Sequence, residues 1–178
     1  MKGLPPKLMS LTFGNGFNQP INKGNLPNSI TYLKFGYMFN QPINKDSLPS
    51  NLERLIFGFD FNQPINEGSL PKSLKSLCFD CKFNHSIDKL PDTLEYLSIY
   101  ADNVNVDNIP NGIQTLKLKF KLKFTQSNFS TITIPSSENL LITNIPSSVN
   151  LLMINNPDCL PYIKRVPFGC KITYFEKN

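Results

Sequence analysis

Tryptophan is absent, histidine occurs once and arginine only twice in this chain of 178 residues. Each scarcity removes a class of function. A single imidazole, His85, leaves one obvious general base for neutral pH, and it has no nucleophile partner in any recognisable motif. The sequence contains no Ser-x-x-Lys, no Gly-x-Ser-x-Gly and no phosphate-binding glycine loop. No catalytic residue and no cofactor are expected, so the chain reads as a non-enzyme. The shortage of Arg54-like side chains matters equally, because guanidinium is the group favoured for bidentate phosphate and base recognition. The formal charge of +5 is carried almost wholly by lysine, which serves solubility, and nucleic acid is not the expected partner.

Long apolar runs are also missing. Nothing approaches the ~18 residues of a membrane span, and the opening Met-Lys-Gly-Leu-Pro-Pro-Lys-Leu lacks the apolar stretch of a secretory signal. The expectation is an intracellular, cytoplasmic protein. Charged residues make up only 17% while hydrophobic ones reach 40%, a balance that excludes a wholly disordered chain. Four cysteines, Cys78, Cys81, Cys159 and Cys170, are few for a chain of this size, which needs no disulfides to supplement its core. Cys78-Phe79-Asp80-Cys81 has the Cys-x-x-Cys spacing of zinc and redox sites, but the other two cysteines lie nearly four repeats away, so thiols and no metal are expected.

What the sequence does have is a period. Phe17-Asn18-Gln19-Pro20-Ile21 returns as Phe39-Asn40-Gln41-Pro42-Ile43, as Phe61-Asn62-Gln63-Pro64-Ile65 and, decayed, as Phe83-Asn84-His85-Ser86-Ile87, each about 22 residues after the last. A second marker runs in phase, a Leu-Pro or Ile-Pro pair at Pro5, Pro27, Pro49, Pro71, Pro91, Pro110 and Pro146. Apolar residues follow each proline at fixed offsets. Leu8, Leu11 and Phe13 follow the first, Ile30, Leu33 and Phe35 the second, and the pattern persists to Val149, Leu152 and Ile154.

The Leu-x-Phe ending is the two-residue alternation of a short strand with one buried face. Pro, Gly, Asn and Ser interrupt any helical spacing in the rest of the unit. One unit offers too few apolar side chains to offset the conformational entropy of ordering itself, so units must stack and merge their cores. The predicted fold is a mainly β solenoid of stacked repeats with short parallel strands. Repeats of residues 1–118 start near Leu4, Leu26, Leu48, Leu70, Leu90 and Ile109, an irregular insertion occupies 119–144, and a degenerate repeat with a C-terminal cap fills 145–178. Asn18, Asn40, Asn62 and Asn84 would then align as a column that satisfies backbone groups of neighbouring coils.

The strand motif resembles a leucine-rich repeat, and the full unit, with Phe-Asn-x-Pro-Ile after the strand and Leu-Pro at the boundary, is similar to the FNIP repeat. That resemblance covers residues 4 to about 118. It implies a leucine-rich-repeat-like solenoid of the kind found in social amoebae and giant amoeba viruses, which fits the AT-rich coding bias suggested by abundant Asn, Lys, Ile and Phe. A viral member would work in the host cytoplasm. Some members place an F-box before the repeats, which implies substrate recognition for a ubiquitin ligase; this sequence departs from that arrangement by beginning inside its first repeat, and the expectation is a protein-interaction module that could serve as a substrate-recognition scaffold.

Two surfaces follow as candidates. Outward strand positions differ between repeats on a rigid frame, and Tyr32, Lys34, Arg54 and Tyr96 are expected to form a face for an unidentified protein partner, with the chain a monomer. The alternative is the alternating stretch Leu116 to Phe124, read as a single strand whose Lys117, Lys119, Lys121 and Lys123 form a basic patch for nucleic acid or another anionic partner. The same pattern also suits a half-buried strand with a solvated edge. His85 stands in the slot of Gln19, Gln41 and Gln63, and is expected to be a turn residue of a decayed repeat.

Overall fold

A computed structural model of the chain describes residues 3–102, 104, 106, 108–120, 123–124, 132–133, 142, 144–155 and 157–175. Each boundary proline opens a tight turn, its carbonyl accepting the N–H three residues on, as Pro27 does from Ile30 at 3.2 Å. The chain then enters a short strand, and two further turns fold it back. In the second coil these are the Gly36–Phe39 and Asn44–Ser47 turns, closed at 3.4 and 3.2 Å.

The strands are β1 (Ser10–Thr12), β2 (Tyr32–Lys34), β3 (Arg54–Ile56), β4 (Ser76–Cys78), β5 (Tyr96–Tyr100), β6 (Thr115–Lys119), β7 (Lys123–Phe124), β8 (Ile132–Thr133), β9 (Leu151–Ile154) and β10 (Lys171–Tyr174), with a 3-10 helix at Pro157–Tyr162. Eight form one sheet in the order β1-β2-β3-β4-β5-β6-β9-β10, parallel throughout. The register places Leu11, Leu33, Leu55, Leu77, Leu97, Leu116, Leu152 and Ile172 in one column. From Leu33 to Leu152 that column is fully buried. The fold is therefore the parallel β-solenoid that the period predicts.

Two aromatic ladders fill the space behind the sheet. Phe13, Phe35, Phe57 and Phe79 form one, and Phe17, Phe39, Phe61 and Phe83 the other. Rings of one coil stack 3.7–4.0 Å apart, and rings of successive coils 5.4–6.2 Å apart. The motif phenylalanine and isoleucine are thus core residues, as Phe39, Ile43, Phe61 and Ile65 show by their near-complete burial.

The asparagine column acts between coils. Asn18 Oδ1 accepts from the Asn40 N–H at 2.9 Å and from Gln41 Nε2 at 3.0 Å, and Asn40 Oδ1 does the same for Asn62 and Gln63 at 2.9 and 3.1 Å. Asn62 Oδ1 continues the series to the Asn84 N–H. His85 takes the glutamine slot, its Nε2 lying 3.2 Å from the Asn62 carbonyl oxygen.

Two devices supplement that column. Hydroxyls two residues past the proline reach back to the preceding coil, Ser29 to the Leu8 carbonyl, Ser73 to Leu52, Thr93 to Leu74 and Ser148 to Ile113, all at 2.7–3.1 Å. At the end of the first three strands, Gly14, Gly36 and Gly58 stack so closely that a Cβ on Gly36 would lie 2.2 Å from the Gly14 oxygen, and one on Gly58 2.0 Å from that of Gly36. Only glycine allows this approach.

The alternating stretch Leu116 to Phe124 does not form one strand. β6 ends at Lys119 because the side-chain amide of Asn155 clamps Phe120: the Phe120 N–H donates to Oδ1 and Nδ2 donates to the Phe120 carbonyl, both at 2.9 Å. A side chain has replaced the ladder there, and the chain leaves the sheet. β7 instead pairs antiparallel with β8 in a two-stranded sheet.

Candidate functional site

The sheet buries one face and shows the other. Alternation along each strand turns the leucine column inward and the residues on either side of it outward. Register then sets two outward rows. The first runs Ser10, Tyr32, Arg54, Ser76, Tyr96, Thr115, Leu151 and Lys171; the second runs Thr12, Lys34, Ile56, Cys78, Ser98, Lys117, Met153 and Thr173.

The four residues expected at a partner face stand on these rows. Tyr32, Arg54 and Tyr96 share the first, and Lys34 occupies the second. Tyr32 and Arg54 touch across adjacent strands, the guanidinium carbon 5.6 Å from the Tyr32 ring centroid, a cation–π pair. Lys34 and Arg54 are exposed, while Tyr32 and Tyr96 are half-buried. Tyr96 sits two strands beyond Arg54, about 10 Å at the usual strand spacing. Burial raises its phenol above the ordinary value. The arrangement is a polar, tyrosine-bearing surface with Lys34 beside Tyr32 on β2 and Arg54 between the two tyrosines.

Toward β6 the face changes character, because β5 and β6 are each five residues long and carry a third outward pair, Tyr100 and Lys119. The Lys119 ammonium does not project into solvent. It donates to the Phe79 carbonyl at 2.7 Å and lies 4.5 Å from the Tyr100 ring centroid. Burial lowers its pKa, the nearby Asp80 opposing. Burial likewise pushes the Tyr100 phenol up to about 12, with Asp80 adding to it, and raises the Cys78 thiol against the opposing pull of Lys119 and Arg54. Ser98, placed by its slot on the outward face, is only 4% exposed. Tyr96 and Tyr100 flank it on its own strand, and Lys117 faces it from β6.

The lysines of the alternative patch are accordingly dispersed. Lys117 Nζ lies 3.7 Å from the Phe175 ring centroid, Lys119 is withdrawn, and Lys123 belongs to the separate β7–β8 sheet. Lys121 lies outside the described residues. The cysteines do not gather into one cluster: Cys78 on β4 has Cys81 three residues on, whereas Cys159 is buried in the 3-10 helix and Cys170 just precedes β10. Among the described residues no group of three or more His, Cys, Asp or Glu is placed to hold a metal ion. Among them also, no helix is long and apolar enough to cross a membrane.

Sequence reasoning missed an aromatic ridge beside the face. Tyr37 stacks on Phe59 at 4.6 Å, Lys82 Nζ sits 5.0 Å from the Phe59 centroid, and that ammonium pairs with Asp60 at 2.6 Å. Tyr37 and Met38 are about half exposed, at 49% and 52%. A signal was present, since Tyr37 and Phe59 both stand ten residues after their boundary proline.

The FNIP repeat model matches residues 17–60, 39–82 and 61–102. Among solved structures the chain is similar to CroV588, a giant-virus protein described as having a novel circular LRR structure, at 31% identity and a TM-score of 0.70. The alignment covers 97% of this chain and 24% of that protein, so the chain spans about a quarter of its relative's length. No curated protein matches the sequence.

Proposed function

Residues 17–102 belong to the FNIP repeat family, and from that premise we propose that the chain is a protein-interaction scaffold whose outward sheet face docks a protein partner. FNIP repeats and leucine-rich-repeat-like solenoids are scaffold families. The observation that carries the reading is the asymmetry of the eight-stranded sheet. One side is packed to zero exposure along the leucine column from Leu33 to Leu152, while the other presents Tyr32, Lys34, Arg54 and Tyr96 with no element of the described chain packed across them.

Rigidity is what such a face offers. Its side chains stand on strands whose backbone is fixed by neighbours on both sides, so little ordering entropy is lost when a partner binds. Tyrosine and arginine are also the residue types that supply a large share of interface free energy. The separated lysines near β6 support a nucleic-acid reading less well, since Lys119 already serves the Phe79 carbonyl. The scaffold acts as a monomer in this reading.

The test begins with a partner captured by pull-down and identified by mass spectrometry. Against that partner, Tyr32→Ala and Arg54→Ala each weaken binding at least tenfold, with unchanged far-UV circular dichroism. Wild-type affinity in both variants would falsify the assignment of the face.

A further inference from the structure

We infer that the partner segment received by this face is acidic and extended, and that it lies across the strands rather than along them. The inference rests on the sheet being the docking face and adds the chemistry of what docks. The eight strands of the main sheet carry Lys34, Arg54, Lys117, Lys119 and Lys171, and not one Asp or Glu. The chain is not short of carboxylates, with 13 of them against 18 basic residues. They stand off the strands: Glu53 and Glu95 each precede a strand by one residue, and Asp80 follows one.

The cations are also spaced for a particular ligand. Lys34 and Lys117 share the second outward row, four strand steps apart along β2-β3-β4-β5-β6. At about 4.8 Å per step that is roughly 19 Å, the length of about six residues of extended chain at about 3.3 Å each. Arg54 and Lys171 share the first row, five steps and roughly 24 Å apart. The half-buried ring of Tyr96 lies between the cations of both rows and that of Tyr32 beside Lys34 on β2, and these rings give apolar contact to whatever links the carboxylates. A segment with Asp or Glu about six residues apart fits the second row and one with them about seven apart fits the first, with apolar or small residues between.

Nucleic acid fits poorly on the same geometry. A polyanion with a phosphate at every nucleotide, about 3.4 Å apart along a strand, needs a dense cationic track. Here the accessible cations are separated by roughly 19 to 24 Å along a row, too sparse for such a track.

A display library of random ten-residue peptides, selected on the full chain at about 150 mM salt, tests the inference. Enriched peptides should carry two or more Asp or Glu spaced by about five to seven positions. Binding measured by fluorescence anisotropy should fall at least tenfold when those acids are replaced by Asn or Gln, and at least tenfold for the Lys34→Glu, Arg54→Glu variant. Both substituted positions are solvent-exposed, and a circular dichroism match to wild type confirms folding. Neutral or basic peptides that depend on Tyr32 and Tyr96 would overturn the acidic ligand while leaving the docking face intact. Enrichment indifferent to every face substitution, or none, overturns both. Tighter binding of a twenty-residue oligothymidine than of the acidic peptides, abolished by the same charge reversal, would likewise sink the acidic-peptide inference.

Discussion

Replacing Asn40 with alanine removes one rung from the column that joins successive coils. Its Oδ1 accepts two hydrogen bonds from the next coil, from the Asn62 N–H at 2.9 Å and Gln63 Nε2 at 3.1 Å, and alanine accepts neither. A bond whose donor can turn to water is worth about 1 kcal/mol net, whereas a partly buried N–H left unpaired costs roughly 1–3 kcal/mol in its place. The Gln63 amide escapes that penalty by turning to water, so the expected loss is about 2–4 kcal/mol. Two companions separate this cause from simple surface truncation. Gln63→Ala deletes only one of the two bonds and should cost about 0.5–1.5 kcal/mol, whereas Asn40→Asp keeps the acceptor and should stay within about 1 kcal/mol of wild type at pH 7. Urea titration followed by tyrosine fluorescence and far-UV circular dichroism measures all three. If Asn40→Ala loses less than Gln63→Ala, or if Asn40→Asp is as damaging as alanine, the column is not what couples the coils.

Other outcomes follow from the same geometry. Gly36→Ala places a methyl 2.2 Å from the Gly14 oxygen and 2.5 Å from its carbonyl carbon, forcing two coils apart. It should cost at least about 1–3 kcal/mol in thermal unfolding, while Gly14→Ala, with nothing within 4 Å, should change stability by less than about 1 kcal/mol. Tyr100 gives a pH signature. Its folded phenol titrates at about 12 against an ordinary value of 10.0, so its contribution to stability is complete below pH 10 and is lost as pH rises from 10 toward 12. Tyr100→Phe should remove a step near pH 12 from an ultraviolet phenolate titration and flatten the stability decline across that window.

The fold was legible because stacking makes sequence repeat itself. A residue that must match its counterpart one coil away is held to one chemical type, so Leu33, Leu55 and Leu77, or Phe39, Phe61 and Phe83, announce the coil. Asn18, Asn40 and Asn62 were legible for the same reason. The glycine column was harder to read because it holds for only three coils before Asp80 takes the slot, and the hydroxyl brackets because Asn51 and Gly112 interrupt Ser29, Ser73, Thr93 and Ser148. The end of β6 could not be read locally at all. Leu116 to Phe124 alternates as a strand should, and what stops it is an amide 35 residues away, Asn155 on Phe120. Lys119 shows a similar limit, since strand β4 has three residues and β5 and β6 have five, and the extra length carries Tyr100 and Lys119 past the end of β4 to where the Phe79 carbonyl lies open.

That contrast also says where specificity can change. Core columns and the asparagine ladder tie each coil to both neighbours, so a substitution there is felt across the stack. The outward rows are coupled far more weakly: Tyr32 and Arg54 share one cation–π contact at 5.6 Å, of the order of 0.5–1 kcal/mol at an exposed site. Ser10, Tyr32, Arg54, Ser76, Tyr96 and Thr115 accordingly differ from coil to coil while the leucines beside them do not. Coupling strength, more than exposure alone, is what singles out the proposed recognition surface. Tyr37 on its ridge lies outside the rows yet meets the same condition, touching Phe59 and little that the fold requires, whereas Ser98 lies on a row and fails it, being buried between Tyr96 and Tyr100. On the proposed reading the face that a partner meets is the set of weakly coupled outward positions, which includes Tyr32, Lys34, Arg54 and Tyr96, borders the Tyr37 ridge and leaves out the buried Ser98.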